Sequence, residues 1–342
     1  MNRLIFLSIL IQFFISCKND INPNILIILT DDQGWGDLSI NGNTNLKTPN
    51  IDNIALNGAS FERFYVSPVC SPTRAELLSG KFFVRSGVNG VTRGYERMNT
   101  DVKLISDFFK GKKYKTGAFG KWHNGSQPPY HPNNRGFDEF YGFTSGHWGN
   151  YFDPILEKNG KIIKTEGYIN DVITNEAISF IKKSNKPFLS FISYNTPHSP
   201  MQVPDKYSDG KDILLRGRYS NRENIEKTKA AMGMIENIDE NIGNVVRSLK
   251  EKGVYENTII IFFSDNGPNG NRWNNDLKDR KGSTNEGGVR VPFFIQWPKN
   301  IKKGLKIKQI SSVLDVFPTL LELTENESLN DLDGMSLKRF LD

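Results

Sequence analysis

Apolar residues in this chain gather in short unbroken runs that stop abruptly at polar clusters. Ile25 to Leu29 ends in Thr30-Asp31-Asp32, and Thr258 to Phe263 ends in Ser264-Asp265-Asn266-Gly267. A β-branched run that is apolar on both alternating faces predicts a strand buried on both sides, as in the middle of a parallel sheet. Pro187 to Tyr194, leading into Asn195-Thr196-Pro197-His198, and Tyr114 to Phe119, leading into Gly120-Lys121-Trp122-His123, predict two more. Between them the period changes. Ala231, Met234, Ile235, Ile238, Ile242, Val245, Val246 and Leu249 recur at spacings of three and four, which predicts a helix from Ile225 to Lys252 stopped by Gly253. Thr48-Pro49 and Ser71-Pro72 open two shorter helices that close at Gly58 and Gly80, with Pro at the first helical position. Strands alternating with helices predict an α/β fold: a doubly wound, mostly parallel sheet with helices on both faces. Ligands of such sheets bind beyond the carboxyl ends of the strands, so the polar clusters are predicted to converge on one rim.

Composition adds little to this picture except at the N-terminus. With 37% hydrophobic and 24% charged residues in 342, the chain is an ordinary globular one, and neither a disordered, collagen-like nor coiled-coil protein. Arg3 is followed by an apolar run from Leu4 to Ile15 and then Ser16-Cys17. The run is shorter than the roughly 20 residues needed to span a bilayer, so residues 1–16 are expected to be a signal peptide and residues 17–342 one catalytic domain. Phe14-Ile15-Ser16-Cys17 resembles a bacterial lipobox. This implies a lipid anchor at Cys17 as the only membrane attachment and a periplasmic or cell-surface address in a Gram-negative-type bacterium; simple cleavage and secretion is the alternative. Cys17 and Cys70 are too few for a disulfide framework. The formal charge of +6, without a long Lys/Arg run, suits an anionic substrate better than nucleic acid, although a solvated basic surface explains it equally well.

The polar clusters carry the candidate chemistry. Asp31, Asp32, Asp265 and Asn266 offer three carboxylates and an amide oxygen, a hard-oxygen set suited to a divalent cation, which would relieve the mutual repulsion of the carboxylates. Either pair alone reads equally well as a turn or a helix cap. Cys70 is expected just before a helix start, in the positive field of its N-terminus, with Arg74 about one turn on. Taken singly, it reads better as an inert buried thiol. The chain has only four histidines, His123, His131, His147 and His198.

Cys70-Ser71-Pro72-Thr73-Arg74, followed by Ala75 to Gly80, resembles the signature of the type I, formylglycine-dependent sulfatases of the alkaline phosphatase superfamily. The resemblance continues in order through Asn24 to Asp37, Thr48 to Asp52, Gly120 to His123, Gly136 to Gly142, Thr196 to His198, Ser264 to Gly267 and Lys281 to Arg290. Asn124 stands where leucine is more usual. The resemblance implies the alkaline phosphatase-like fold and a sulfuric ester hydrolase acting on a sulfated polysaccharide or oligosaccharide. It also implies a maturation enzyme that oxidises Cys70 to formylglycine (3-oxoalanine). The hydrated aldehyde would attack sulfur with one hydroxyl, and the other would collapse to release sulfate. Asp31, Asp32, Asp265 and Asn266, with residue 70, would hold calcium rather than magnesium. Arg74 and Lys121 would hold the diol, His123 would hydrogen-bond it, and Lys121, Lys281 and His198 would bind sulfate, with His198 also protonating the leaving alcohol. His131, His147, Trp148 and Trp273 are expected to be packing or surface residues, the alternatives being that the two histidines line the substrate pocket and that either tryptophan stacks on a sugar ring. Arg85, Arg93 and Arg272 are expected to be solvated, the alternative being contact with further anionic groups. Such enzymes continue into a small C-terminal subdomain, which is expected to be short or missing here because the sequence stops at Asp342. Two other readings stand beside this one: a phosphomonoester or phosphonate hydrolase of the same superfamily, and a non-catalytic lipoprotein that binds sulfated glycans.

Overall fold

The computed structural model describes residues 22–326 and 329–342. The predicted signal segment 1–16 and Cys17 lie outside these residues. Ten strands are formed among the described residues: β1 (Asn24–Thr30), β2 (Ala59–Tyr65), β3 (Lys115–Lys121), β4 (Glu139–Phe143), β5 (Ile155–Lys158), β6 (Lys161–Lys164), β7 (Phe188–Ser193), β8 (Thr258–Ser264), β9 (Arg290–Gln296) and β10 (Leu305–Ser312). The helices are α1 (Pro49–Leu56), α2 (Cys70–Ser79), α3 (Ile105–Gly111), α4 (Ile169–Lys183), α5 (Asp205–Ser208), α6 (Ile225–Glu251), α7 (Glu286–Val289) and α8 (Val316–Leu323).

All ten strands join one sheet in the order β10-β2-β9-β8-β1-β7-β3-β4-β5-β6. Its centre, β8-β1-β7-β3-β4, is parallel throughout, while β9 and the β5–β6 hairpin run antiparallel to their neighbours. The sheet is therefore mixed and mostly parallel, in the doubly wound layout the alternation predicts. β1 shows how the two faces are filled. Ile25, Ile27 and Leu29 pack with Ala75 and Leu78 of α2, Phe109 of α3 and Phe317 and Leu320 of α8. Leu26 and Ile28 pack with Ile54 of α1, Ile173 of α4 and Ile238 and Ile242 of α6. Successive side chains of a strand point to opposite faces, so one unbroken apolar run serves two cores.

Register fixes the rim. Thr30 of β1 lies beside Ser264 of β8, and the Asp265 N–H donates to the Thr30 carbonyl at 3.0 Å. Asp31-Asp32 and Asp265-Asn266 are thereby brought side by side from 234 residues apart. On the other flank the Asp31 N–H donates to the Thr196 carbonyl at 3.1 Å, which delivers the segment leading to His198.

The start of α2 differs from the expectation. The helix begins at Cys70 with Val69 as its cap, so Cys70 is inside the first turn and Pro72 is its third residue. Pro is tolerated there because the first N–H groups of a helix have no carbonyl partner within it. After α8 the described residues add one short 3₁₀ turn, Lys338–Phe340, flanked by the buried Leu337 and Leu341. Among the described residues no helix is long and apolar enough to cross a membrane.

Candidate active site

Every site residue expected from the sequence comes to the carboxyl rim of β1, β8, β7 and β3. Asp31, Asp32, Arg74, Asp265 and Asn266 are at most 1% exposed, and Cys70 is buried at the first turn of α2. Lys121 is the last residue of β3, and Gly120 before it has φ +104°, where a Cβ would meet the Ser193 carbonyl oxygen at 2.0 Å. Only glycine lets β3 approach β7 this closely at the rim.

Each carboxylate has a cation. Lys121 Nζ lies 2.5 Å from Asp31 Oδ2, Lys281 Nζ 2.6 Å from Asp32 Oδ1, and Arg74 Nη2 2.8 Å from Asp265 Oδ2. Arg74 also donates through Nη1 to the Lys121 carbonyl at 3.1 Å and to the Ser193 hydroxyl. Burial alone would raise the Asp31 pKa; Lys121, with His198, Arg74 and Lys281 behind it, outweighs that and holds the carboxyl well below its ordinary range. Three carboxylates facing three cations offset most of their charge, although burial and then the Asp31 carboxylate still push Asp265 up to about 6. Repulsion between the aspartates, the expected argument for a metal, is therefore reduced but not removed, and alone it is the weaker argument.

The oxygens left over make the stronger argument. Asp31 Oδ1, Asp32 Oδ2 and Asn266 Oδ1 are buried and have no hydrogen-bond partner. Asn266 turns its Nδ2 toward Asp32 Oδ1 at 2.8 Å and the Gly267 carbonyl at 2.9 Å, which commits the amide orientation and leaves its oxygen bare. Each unmet buried acceptor costs about 1–3 kcal/mol, and three in one cluster fit a cation-binding donor set. Ligand atoms of Asp31, Asp265 and Cys70 lie within 4.8 Å of one another, as do those of Asp31, Asp32 and His198. The chemistry is that of a hard divalent cation with oxygen ligands.

A pocket of about 330 Å³ opens over Cys70, lined by His123, His147, His198 and Lys281 among others. His123 Nε2 lies 2.8 Å from the Val91 carbonyl, which can only accept, so Nε2 carries the hydrogen and Nδ1 is a bare, buried acceptor. Burial, then the Lys121 charge, holds its pKa well below the ordinary value, so the ring is neutral. His198 Nδ1 is 2.7 Å from the Ser199 carbonyl, which fixes Nδ1–H and turns Nε2 toward Asp32 Oδ2 at 3.8 Å.

The sulfatase family model matches residues 23–326. The chain belongs to the sulfatase family. It is 31% identical to N-acetylgalactosamine-6-sulfatase of Mus musculus, over 92% of this chain and 65% of that protein, and 31% identical to arylsulfatase J of Mus musculus, over 92% and 55%. The chain thus spans just under two thirds of the length of the first of these relatives and just over half of the second. Among solved structures it is similar to Ps i-CgsB in complex with k-i-k-neocarrahexaose, at 35% identity and TM-score 0.83, over 92% of this chain and 75% of that one. It is also similar to BT4656 in complex with its substrate D-glucosamine-2-N,6-O-disulfate, at 25% identity and TM-score 0.79, over 94% and 80%.

Some residues of this chain are placed differently from expectation. His147 is exposed, as expected of a surface residue, and takes the alternative role as well: it lines the pocket, its ring 5.4 Å from that of His198. Arg272, expected in solvent, is buried, pairs with Asp37 at 2.8 Å and donates to the Asp32 carbonyl at 2.6 Å. Asn124 is also buried and donates to the Ser71 carbonyl and hydroxyl at 3.2 and 3.1 Å, bracing the turn that carries Cys70. His131 does pack, against Phe140 and Glu157, and Trp148 stacks on Phe143. Trp273 is half-buried under the Arg216 guanidinium, Arg85 is an exposed partner of Asp331 and Asp333, and Arg93 is exposed.

Proposed function

We propose that this chain hydrolyses sulfate esters of a sulfated carbohydrate, with Cys70 converted to formylglycine and one divalent cation bound beside it. The observation that carries the reading is the setting of Cys70. Its sulfur shares one small cluster with Asp31 and Asp265, and burial pushes the thiol up to about 12. A thiolate nucleophile is therefore scarce near neutral pH, and the side chain suits conversion better than direct attack. Once formed and hydrated, the aldehyde supplies a hydroxyl nucleophile together with a second hydroxyl that allows sulfate to leave.

The chain's own residues do the rest. Asp31, Asp32, Asp265 and Asn266, with residue 70, are the ligands we assign to the cation, taken as calcium, which would polarise a sulfate oxygen. Lys121 and Lys281 place positive charge against the sulfate, and Arg74 holds Asp265 and the β3 and β7 ends in register around residue 70. His123 Nδ1, bare and buried, accepts the hydrogen of the attacking hydroxyl. His198, whose Nδ1–H is committed to Ser199, has Nε2 free to carry a proton to the leaving oxygen. The rate advantage arises where these fixed cations hold the charge that develops on the transferring sulfate group more strongly than they hold the ester itself.

The carbohydrate assignment draws on relatives and neighbours whose names specify N-acetylgalactosamine, glucosamine disulfate and a neocarrahexaose. Export through residues 1–16, with a lipid anchor at Cys17, belongs to the same proposal. The test is sulfate and phosphate release, followed in one run by ion chromatography, from matched sulfate and phosphate esters and a panel of sulfated oligosaccharides. The chain is co-expressed with a formylglycine-generating enzyme. Sulfate release that dominates phosphate release is expected; dominant phosphate release would replace this reading with the phosphoryl one.

A further inference from the structure

A second cavity, of about 220 Å³, lies beside the first. The two are linked along the chain at two points: Lys281 lines the first and Arg280 the second, and His198 lines the first and Met201 the second. Three residues span at most about 11 Å, so the cavities are neighbours on one rim. The lining of the second is basic. Arg222, Lys227 and Arg280 contribute exposed cationic groups, and no ion pair engages any of the three among the described residues. Arg272 forms part of the wall, but its charge is committed to Asp37. No carboxylate is in the lining itself; Glu223, hydrogen-bonded to Thr228 and facing Arg272, stands behind it. The arrangement is also braced. Arg280 Nη1 donates to Asn271 Oδ1 at 2.7 Å, and Asn271 Nδ2 donates to the Arg222 carbonyl at 2.9 Å, so the loop after β8 and the approach to α6 are tied together across the cavity.

We propose that this cavity is a subsite for a second anionic substituent of the substrate, a sulfate or a uronic carboxylate on a sugar near the one being cleaved. The proposal rests on the sulfatase reading of the first pocket and narrows its substrate to glycans with more than one negative group. Three cations with no carboxylate among them present a local positive potential that a single charged sulfate in the first pocket does not use. Their mutual repulsion is relieved by an anion, and the planar guanidinium groups of Arg222 and Arg280 suit the oxygens of either substituent.

The test separates binding from chemistry by using the full-length Cys70→Ala chain, which cannot turn over. Calorimetric titration compares three oligosaccharides of equal length: one monosulfated and otherwise neutral, one disulfated, and one monosulfated with a neighbouring uronic acid. We expect at least one of the doubly anionic ligands to bind about tenfold tighter than the monosulfated one. That preference should collapse in Arg222→Ala/Lys227→Ala and weaken at high salt. Lys227→Glu, at an exposed position, should reverse it, and thermal melts confirm that each variant is folded. Whichever doubly anionic ligand shows the preference identifies the substituent. Equal affinity for all three ligands, or a preference untouched by the variants, would overturn the subsite. If the preference is present but the unmutated chain, with residue 70 confirmed as formylglycine by peptide mass spectrometry, releases no sulfate from any of these sugars, the sulfatase reading fails and the subsite stands.

Discussion

Arg272→Met offers a sharp probe of how the rim is held. Arg272 Nε donates to both Asp37 oxygens at 3.0 and 2.9 Å, and both side chains are at most 3% exposed. Removing the guanidinium leaves Asp37 as a buried unpaired charge, which costs about 3–5 kcal/mol, and the Asp32 carbonyl loses a donor worth about 1 kcal/mol more. In a domain of this size that corresponds to a fall in Tm of roughly 5–15 °C. The double variant Arg272→Met/Asp37→Asn discriminates the cause. An amide oxygen can still accept the Gly34 N–H, which reaches Asp37 Oδ2 at 2.7 Å, but it carries no charge. The double variant should therefore recover at least about 2 kcal/mol relative to Arg272→Met. Urea unfolding of the chelator-treated protein, with m unchanged, measures both. A single variant that costs less than about 1 kcal/mol, or a double variant whose cost is the sum of the two singles, would refute the reasoning.

Other outcomes follow from the same geometry. A Cβ on Gly146 would meet His123 Nε2 at 2.1 Å; by displacing the ring whose Nδ1 is the proposed hydroxyl acceptor, Gly146→Ala should lower kcat at least about tenfold, and loss of the Nε2–H bond to Val91 should lower stability by about 1 kcal/mol. Burial pushes Glu76 up to about 7 from its ordinary 4.5, with the Ser67 hydroxyl opposing. The folded state thus holds a proton the unfolded state has lost, and stability falls as pH rises from about 4.5 to 7. Glu76→Gln should consequently gain about 2–3 kcal/mol relative to the parent at pH 8 and nothing at pH 4, read from Tm across that window. Adding calcium to the chelated protein at 100 times its Kd should stabilise it by about 2.7 kcal/mol, and Asp31→Asn should abolish that shift, because Asp31 Oδ1 is among the oxygens without a partner.

β1 and β8 were legible because nothing interrupts their apolar runs, and burial on both faces demands such runs; β7 and β3, broken by Ser190 and by Thr116-Gly117, were read with the polar cluster that ends each, and β4, although part of the parallel centre, was not read at all. The outer strands were not legible either. β2 breaks its alternation at Glu62 and Arg63, where the register shifts between the buried Phe61 and Phe64, β9 contains Pro292, and β5 and β6 are four residues each. Their hairpin did have a signal, Asn159-Gly160, which takes φ of +49° and +82° in the tight turn. The site's charged centre was readable because each polar cluster sits where a buried strand ends. Its supports were not, since they depend on packing between distant segments. Arg272 pairs with an aspartate 235 positions away, and only the fold reveals that this arginine is buried. His147 sits in a stretch without a strand pattern, and Asn124 reads as a harmless replacement until the structure places it under Ser71.

The central claim is that residue 70, as a converted cysteine, does the chemistry. Its most direct test is free sulfate released from a sulfated oligosaccharide by the full chain co-expressed with the maturation enzyme, beside Cys70→Ala made the same way. Peptide mass spectrometry reports the state of residue 70 in the same preparation. The account predicts sulfate release that scales with the aldehyde fraction and is absent in the variant. Equal release from Cys70→Ala, or from a preparation in which Cys70 is wholly a thiol, would contradict it.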